Sequence, residues 1–159
     1  MEKGFCGATP SERIANRLQW IQAIGSDTIG GAFHLQLTGS DEAAGCYTFL
    51  AKTDDWMRNV IGTFHGGSAA ALCDQAMGCV ANCLFSDEPH APTSQLQLNF
   101  HRPLFAGDDM TVTVQVTNVS RSMIHLSAQA AAAKAPGKLC VSATAVFFRG
   151  QKQRRKPNG

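Results

Sequence analysis

The chain has 159 residues, 17.0 kDa of mass, a formal net charge of +2, and 44% hydrophobic against 16% charged residues. That size fits a single domain over residues 1–159, able to bury roughly 68–70% of its unfolded surface without staples. The charge is too small for a nucleic-acid footprint, and no apolar run reaches the roughly 18 residues of a membrane span.

Much of the positive excess sits in Lys152, Arg154, Arg155 and Lys156, so residues 150–159 read as a solvated, mobile basic tail. A weakly charged surface suits subunits that cover one another. Six cysteines stand at 6, 46, 73, 79, 83 and 140. The N-terminus carries Glu2 and Lys3 and no apolar run of the signal-peptide kind, so these cysteines are expected as reduced, buried small hydrophobes of a cytoplasmic protein. No His/Cys group has zinc-site spacing, and no metal is expected.

In chain order, Thr9-Pro10-Ser11-Glu12 has the form of a capping box with proline at the first helical position. Ile14, Leu18 and Ile21 then recur at helical spacing until Gly25, so residues 1–27 read as an N-terminal helical extension. From about Thr28 to Lys52 the period becomes two: Phe33, Leu35 and Leu37 alternate with polar residues. Gly39–Gly45 separates them from Cys46–Ala51, which predicts a strand pair. Thr53–Phe64 has no clear period and reads as loop or short helical turns. His65 to Phe85 is alanine-rich and apolar, and is expected as a long buried helix. After a proline-containing turn over Ser86–Pro92, alternating runs predict strands over Thr93–Arg102, Met110–Val119, Ile124–Ala133 and Leu139–Phe148. One antiparallel sheet wrapped around one central helix accounts for every element, an α+β arrangement.

The chemistry concentrates in Asn59-Val-Ile-Gly-Thr-Phe-His65-Gly66-Gly67 and the helix that follows. A glycine-rich helix start presents unpaired N–H groups that suit an anion or a developing oxyanion. Asp74 is the lone carboxylate on that helix, among Ala70, Leu72, Cys73, Ala76 and Met77, and burying it is costly without a partner or a task.

The order of elements and the pattern Asn59-x₃-Thr63-x-His65-Gly66-Gly67-x₆-Asp74 resemble the hotdog-fold acyl-CoA thioesterases. The likeness extends to the phenylacetate-degradation (PaaI-type) branch of the 4-hydroxybenzoyl-CoA thioesterase superfamily. Thr93-Ser-Gln-Leu-Gln-Leu-Asn-Phe-His-Arg102-Pro103 and Ala106-Gly107-Asp108 fit that branch as well. The resemblance implies that the Gly66 N–H holds the thioester oxygen and Gly67 allows close approach. It further implies that Asn59 positions water or thioester, His65 fixes the loop, Thr93 orients the water, and Asp74 acts as general base or nucleophile. Each has a plainer reading: Asp74 or His65 as a cap, Asn59 as a turn residue, the glycines as packing, Thr93 as a strand start. Arg102, Arg121 and Ser122 are candidates for the CoA phosphates or are simply solvated. Phe64, Met77, Phe85 and Phe100 are candidates for the acyl wall or belong to the core. The other histidines, 34, 90, 101 and 125, read as structural or exposed.

Gly66 and Asp74 stand eight residues apart on one helix, which separates their backbones by roughly 12 Å. An oxyanion donor and a base must each lie within about 3 Å of one reacting group. If both residues have these roles, one chain's Gly66 works with another chain's Asp74, in a two-fold dimer with antiparallel central helices. Relatives of this kind commonly form dimers of dimers, so a homotetramer is expected, with acyl-CoA as partner and no separate cofactor. Two alternatives remain: a hydratase or dehydratase on the same fold, although no Asp-x₄-His pair occurs, and a non-catalytic acyl-CoA-binding protein.

Overall fold

The computed structural model describes residues 7–25, 27–85 and 90–149. The basic tail, Cys6 and most of the Ser86–Pro92 turn lie outside the described residues.

Helix α1, Pro10–Ile24, starts as its sequence requires. Thr9 accepts from the Glu12 N–H, Glu12 returns a bond to the Thr9 N–H, and proline takes the first turn. Ile14 and Leu18 are buried with Ile21 packed beside them, and Gly25 closes the helix on Ile21 O. This face lies along the central helix, where Arg13 Nε donates to Cys83 O at 2.9 Å. A cation at the carbonyl end of a helix also meets the negative end of its dipole.

The strand expected from Thr28 begins later. Thr28 instead caps a short helix, α2, Ile29–Ala32, accepting from Gly31 N–H. Phe33 and Leu35 are fully buried, but His34 between them has a φ of 42°, which breaks extended backbone. Alternating burial was therefore produced by a helix exit and not by a strand. Strand β1 is Gln36–Asp41, so Gly39 and Ser40 lie inside it, past a register shift, and the turn is confined to residues 42–45.

Strand β2, Cys46–Ala51, is followed by a 3-10 turn at Asp55–Met57 and then by helix α3, Gly66–Leu84. Strands β3 (Thr93–Phe100), β4 (Met110–Val119), β5 (Met123–Ala132) and β6 (Val141–Phe148) complete the element order. All pairings are antiparallel, and the sheet order is β1-β2-β4-β5-β6-β3. The sheet folds over α3. Leu72, Cys73, Ala76, Met77 and Val80 of α3 meet Tyr47, Phe49, Val112, Val114, Ile124, Leu126, Ala143 and Phe147 in one core. Each fully buried large aliphatic side chain there contributes roughly 1.5–3 kcal/mol. No helix among the described residues is long and apolar enough to cross a membrane.

Two features of this topology govern the site. The chain leaves α3 and crosses to the far edge of the sheet, so among the described residues β3 pairs only with β6 and its other side is a free edge. Its burial is correspondingly low, with only Leu96 and Leu98 half-covered. Five described cysteines are free thiols, four buried and Cys46 half-buried, a partial departure from the expectation that all are buried. Burial pushes the Cys73 and Cys83 thiols up to about 12, and also raises Cys79.

Candidate functional site

The start of α3 is built by the segment before it. Met57 O accepts from His65 N–H at 2.8 Å, Arg58 pairs with Phe64, and Asn59 N–H donates to Thr63 O. The chain thus makes a small hairpin whose second arm runs straight into the helix. Its tip is a β-turn, with Gly62 N–H donating to Asn59 O, closed by Gly62 at a φ of 83°. A turn followed by a left-handed glycine is the three-residue hairpin that ends in a bulge, and only glycine takes that position without strain. The Asn59 side chain completes it: Oδ1 accepts from Ile61 and Thr63 N–H, and Nδ2 donates to Thr63 Oγ1 at 2.7 Å. Asn59 is therefore a turn-forming residue that also lines the cleft beside it.

His65 is the N-cap of α3, its Nδ1 accepting from Gly67 N–H at 2.9 Å. An accepting Nδ1 places the imidazole proton on Nε2. A Cβ at position 67 would come within 3.0 Å of that Nδ1, so Gly67 lets the ring close over the helix start. The sequence reading gave Gly67 to ligand approach; its glycine is explained here by the cap. With the Gly67 donor used, the Gly66 N–H has no hydrogen-bond partner among the described residues, as expected of a first-turn donor. Gly66 lines a cleft of about 380 Å³ with Asn59, Phe64, Phe100, Arg102 and Pro103. Arg102 reaches it from beyond the end of β3, with Nη1 donating to Leu139 O at 2.8 Å.

Asp74 lies in a different place. It is half-buried, not buried as its apolar neighbours suggested, and opens on a second cleft of about 180 Å³. Thr93, the first residue of β3, donates its hydroxyl to Asp74 Oδ1 at 2.8 Å. Hydrogen bonds to an ionised acceptor are roughly twice as strong as neutral ones and fix the carboxylate's orientation. Arg17 of α1, Gln75, Gly78, Cys79, Asn82 and Phe147 share this cleft. Asn82 holds the approach to β3, its Oδ1 accepting from Ala91 N–H at 2.8 Å and its Nδ2 donating to Gly78 O.

Within one chain, then, Asn59, Phe64, Gly66 and Arg102 come together, and Asp74 comes together with Thr93. The two groups occupy separate clefts. Met77 and Phe85, read as acyl-wall candidates, are buried in the core at 0% and 3% exposure and line neither cleft. Phe100 does stand open, at 60% exposure, beside Gly66. Arg121 and Ser122 sit in the exposed β4–β5 turn outside both clefts, their carbonyls accepting from Arg149. Sequence reading missed Arg17, Gln75 and Asn82, while His101 is exposed as expected. Asn82 was findable, since 74, 78 and 82 follow one another at helical spacing on one face. Arg17 carried no such signal, because what α1 packs against is a tertiary fact. His101 lines the Gly66 cleft while its Nε2 meets Ser142 Oγ at 2.8 Å. No group of three His, Cys, Asp or Glu side chains that could hold a metal gathers among the described residues.

A sheet closed around one long helix, with an open donor at the helix start and a carboxylate two turns on, is the hotdog architecture. Residues 61–145, more than half of the chain, match the thioesterase superfamily, and the chain belongs to that superfamily. Solved structures agree in fold. Thioesterase superfamily member 2 from Mus musculus is similar at 17% identity and a TM-score of 0.71, covering 91% of this chain and 100% of that one. The E. coli PaaI protein from the phenylacetic acid degradation operon shares 22% identity at a TM-score of 0.65, over 84% and 98%. A hypothetical thioesterase from Streptococcus pneumoniae TIGR4, solved with coenzyme A, shares 21% identity at a TM-score of 0.67, over 82% and 96%. No curated protein sequence matches the chain significantly.

Proposed function

We propose that the protein is an acyl-CoA thioester hydrolase of the PaaI type, cleaving aryl- or medium-chain acyl-CoA in sites shared between two subunits. One observation carries the reading. The two half-sites lie at opposite ends of the free edge strand: Asp74 is bonded to Thr93 at its start, and Gly66 adjoins Phe100 at its end. Two copies of β3 paired antiparallel about a two-fold axis set each Thr93 opposite the partner's Phe100. Each Gly66 N–H then faces the partner's Asp74, and two equal sites arise. The same pairing covers the exposed β3 edge, which unpaired is a liability. The PaaI likeness and the coenzyme A carried by the pneumococcal thioesterase support the substrate class.

In this arrangement the thioester oxygen accepts from Gly66 N–H, where the helix dipole favours negative charge as the tetrahedral intermediate forms. The partner's Asp74 either takes a proton from the attacking water or attacks the carbonyl itself, giving an anhydride that water then opens. Both routes release free acid and CoA thiol. Thr93 holds the carboxylate, Arg102 offers a cation along the Gly66 cleft for the CoA arm, and the dimers pair into a tetramer. A cytoplasmic location fits an acyl-CoA substrate and reduced cysteines.

The test is thiol release from aryl and aliphatic acyl-CoAs by the wild type and by Asp74→Asn. A fall of at least about a hundredfold in a folded, oligomeric variant is expected from loss of a general base. Equal activity of the two proteins, or no turnover of any acyl-CoA, rules the reading out.

A further inference from the structure

The hairpin ahead of α3 ends in a way its local chemistry does not ask for. The central positions of a β-turn favour proline, aspartate, asparagine, serine or glycine. Here they are Val60 and Ile61, exposed at 104% and 79%. Two β-branched apolar side chains are thus held out into solvent on a turn fixed by five hydrogen bonds around Asn59, two of them accepted by its Oδ1 and one donated by its Nδ2. Trp56 and Phe105, at 61% and 53% exposure, are further open apolar side chains on neighbouring segments, and Thr63 bridges to Phe105. A rigid element that breaks the local rule and exposes its most apolar residues is expected to act on something outside its own chain.

What it meets follows from its attachment. His65 N–H is bonded to Met57 O, so hairpin and helix start move as one body. Five residue steps take Ile61 to Gly66 and six take Val60, reaches of at most about 18 and 22 Å. Wherever Gly66 meets a thioester carbonyl, the Val60–Ile61 tip is carried with it on the same body, within that reach. The partner's Asp74 cleft offers Arg17, Gln75, Asn82 and Thr93 beside Cys79, Ala91, Pro92 and Phe147, and its open surface is mostly polar, so an apolar acyl group needs more hydrophobic wall than this cleft supplies.

We propose that Val60 and Ile61 form that wall: the hairpin tip of one subunit packs over the acyl group at the partner's Asp74 and sets chain-length preference. This rests on the shared-site thioesterase reading above and assigns its specificity to two residues outside the chemistry.

The experiment compares Val60→Ser, Ile61→Ser and Ile61→Leu with the wild type on acetyl-, butyryl-, octanoyl- and phenylacetyl-CoA, with the mass of the assembly in solution measured for each. The serine variants are expected to stay oligomeric and to lose roughly tenfold or more in kcat/KM on octanoyl-CoA, chiefly through KM. Acetyl-CoA turnover should stay within about twofold of wild type, and Ile61→Leu should keep octanoyl-CoA activity. Binding of the same acyl-CoAs to Asp74→Asn protein, with and without the tip substitutions, reads the wall apart from turnover. An unchanged profile, an equal loss on every substrate, or dissociation into monomers overturns the proposal while leaving the thioesterase reading intact. A wild type that turns over no acyl-CoA overturns both.

Discussion

Gly66→Pro removes one hydrogen-bond donor from the site and little else. Position 66 is the first residue of α3, where proline is favoured because its missing N–H has no helical partner and its φ suits the helix. The residue before a proline must be extended, and His65 already is, at φ −65° and ψ 136°. A Cβ at 66 meets the Phe100 ring at 3.4 Å and 3.6 Å, close to ordinary contact. Stability should therefore change little, or rise by about 0.4–1 kcal/mol through the stiffer unfolded chain. The oxyanion donor is gone, and loss of one such donor costs on the order of a hundred- to a thousandfold in kcat, about 2.7–4 kcal/mol. Gly66→Ala keeps the N–H and separates the donor from the added bulk; it should retain most of the turnover. The assay is thiol release on the best acyl-CoA, with thermal melts of all three proteins. A Gly66→Pro enzyme that melts like wild type and works like wild type refutes the role of this N–H.

Thr93→Val keeps the shape of the side chain and deletes its donor to Asp74, so kcat should fall about tenfold with an unchanged melting temperature; turnover and melts together check it. With Cys73 and Cys83 pushed up to about 12 and Cys79 raised, all three should resist a thiol-specific reagent in native protein at pH 8. Half-buried Cys46 should react first among the described cysteines, and denaturant should release the rest. Glu42 is held below its ordinary carboxyl range by the Ser11 hydroxyl and N–H. A depressed folded pKa stabilises above the unfolded value of 4.5 and is lost as pH falls through the folded one. Wild type should therefore melt above Glu42→Gln at pH 6, with the gap closing in acid below 4.5, read by paired thermal melts.

How much of this was legible depended on whether the signal was local. The capping box at Thr9, the proline after it, the extent of α3 and the alternation in β4 were written in neighbouring residues, and these elements stand within a residue or two of their expected bounds. Phe33 and Leu35 misled because alternate burial arises wherever a chain grazes a core, and the φ of His34 has no mark in sequence. The helix start was legible for the same local reason, since His65 and Gly67 are two residues apart. Most of the carboxylate's surroundings were not: beyond Asn82 on its own helix, Asp74 opens on a cleft made by Arg17 and the crossing to β3, which come from distant parts of the chain. Met77 looked like a site residue because an apolar helix in sequence does not reveal which side the sheet covers.

Subunit complementation tests the central claim most directly. Gly66→Pro and Asp74→Asn proteins, each inactive alone, are unfolded together, refolded as a mixture, and assayed. If each site takes Gly66 from one chain and Asp74 from the other, every mixed dimer has one site with both lesions and one with none. Random pairing then restores about a quarter of wild-type activity per protomer. If both groups serve the same chain's site, every site in every mixed dimer still carries a lesion. Activity that stays at the level of the separate variants would contradict the shared site.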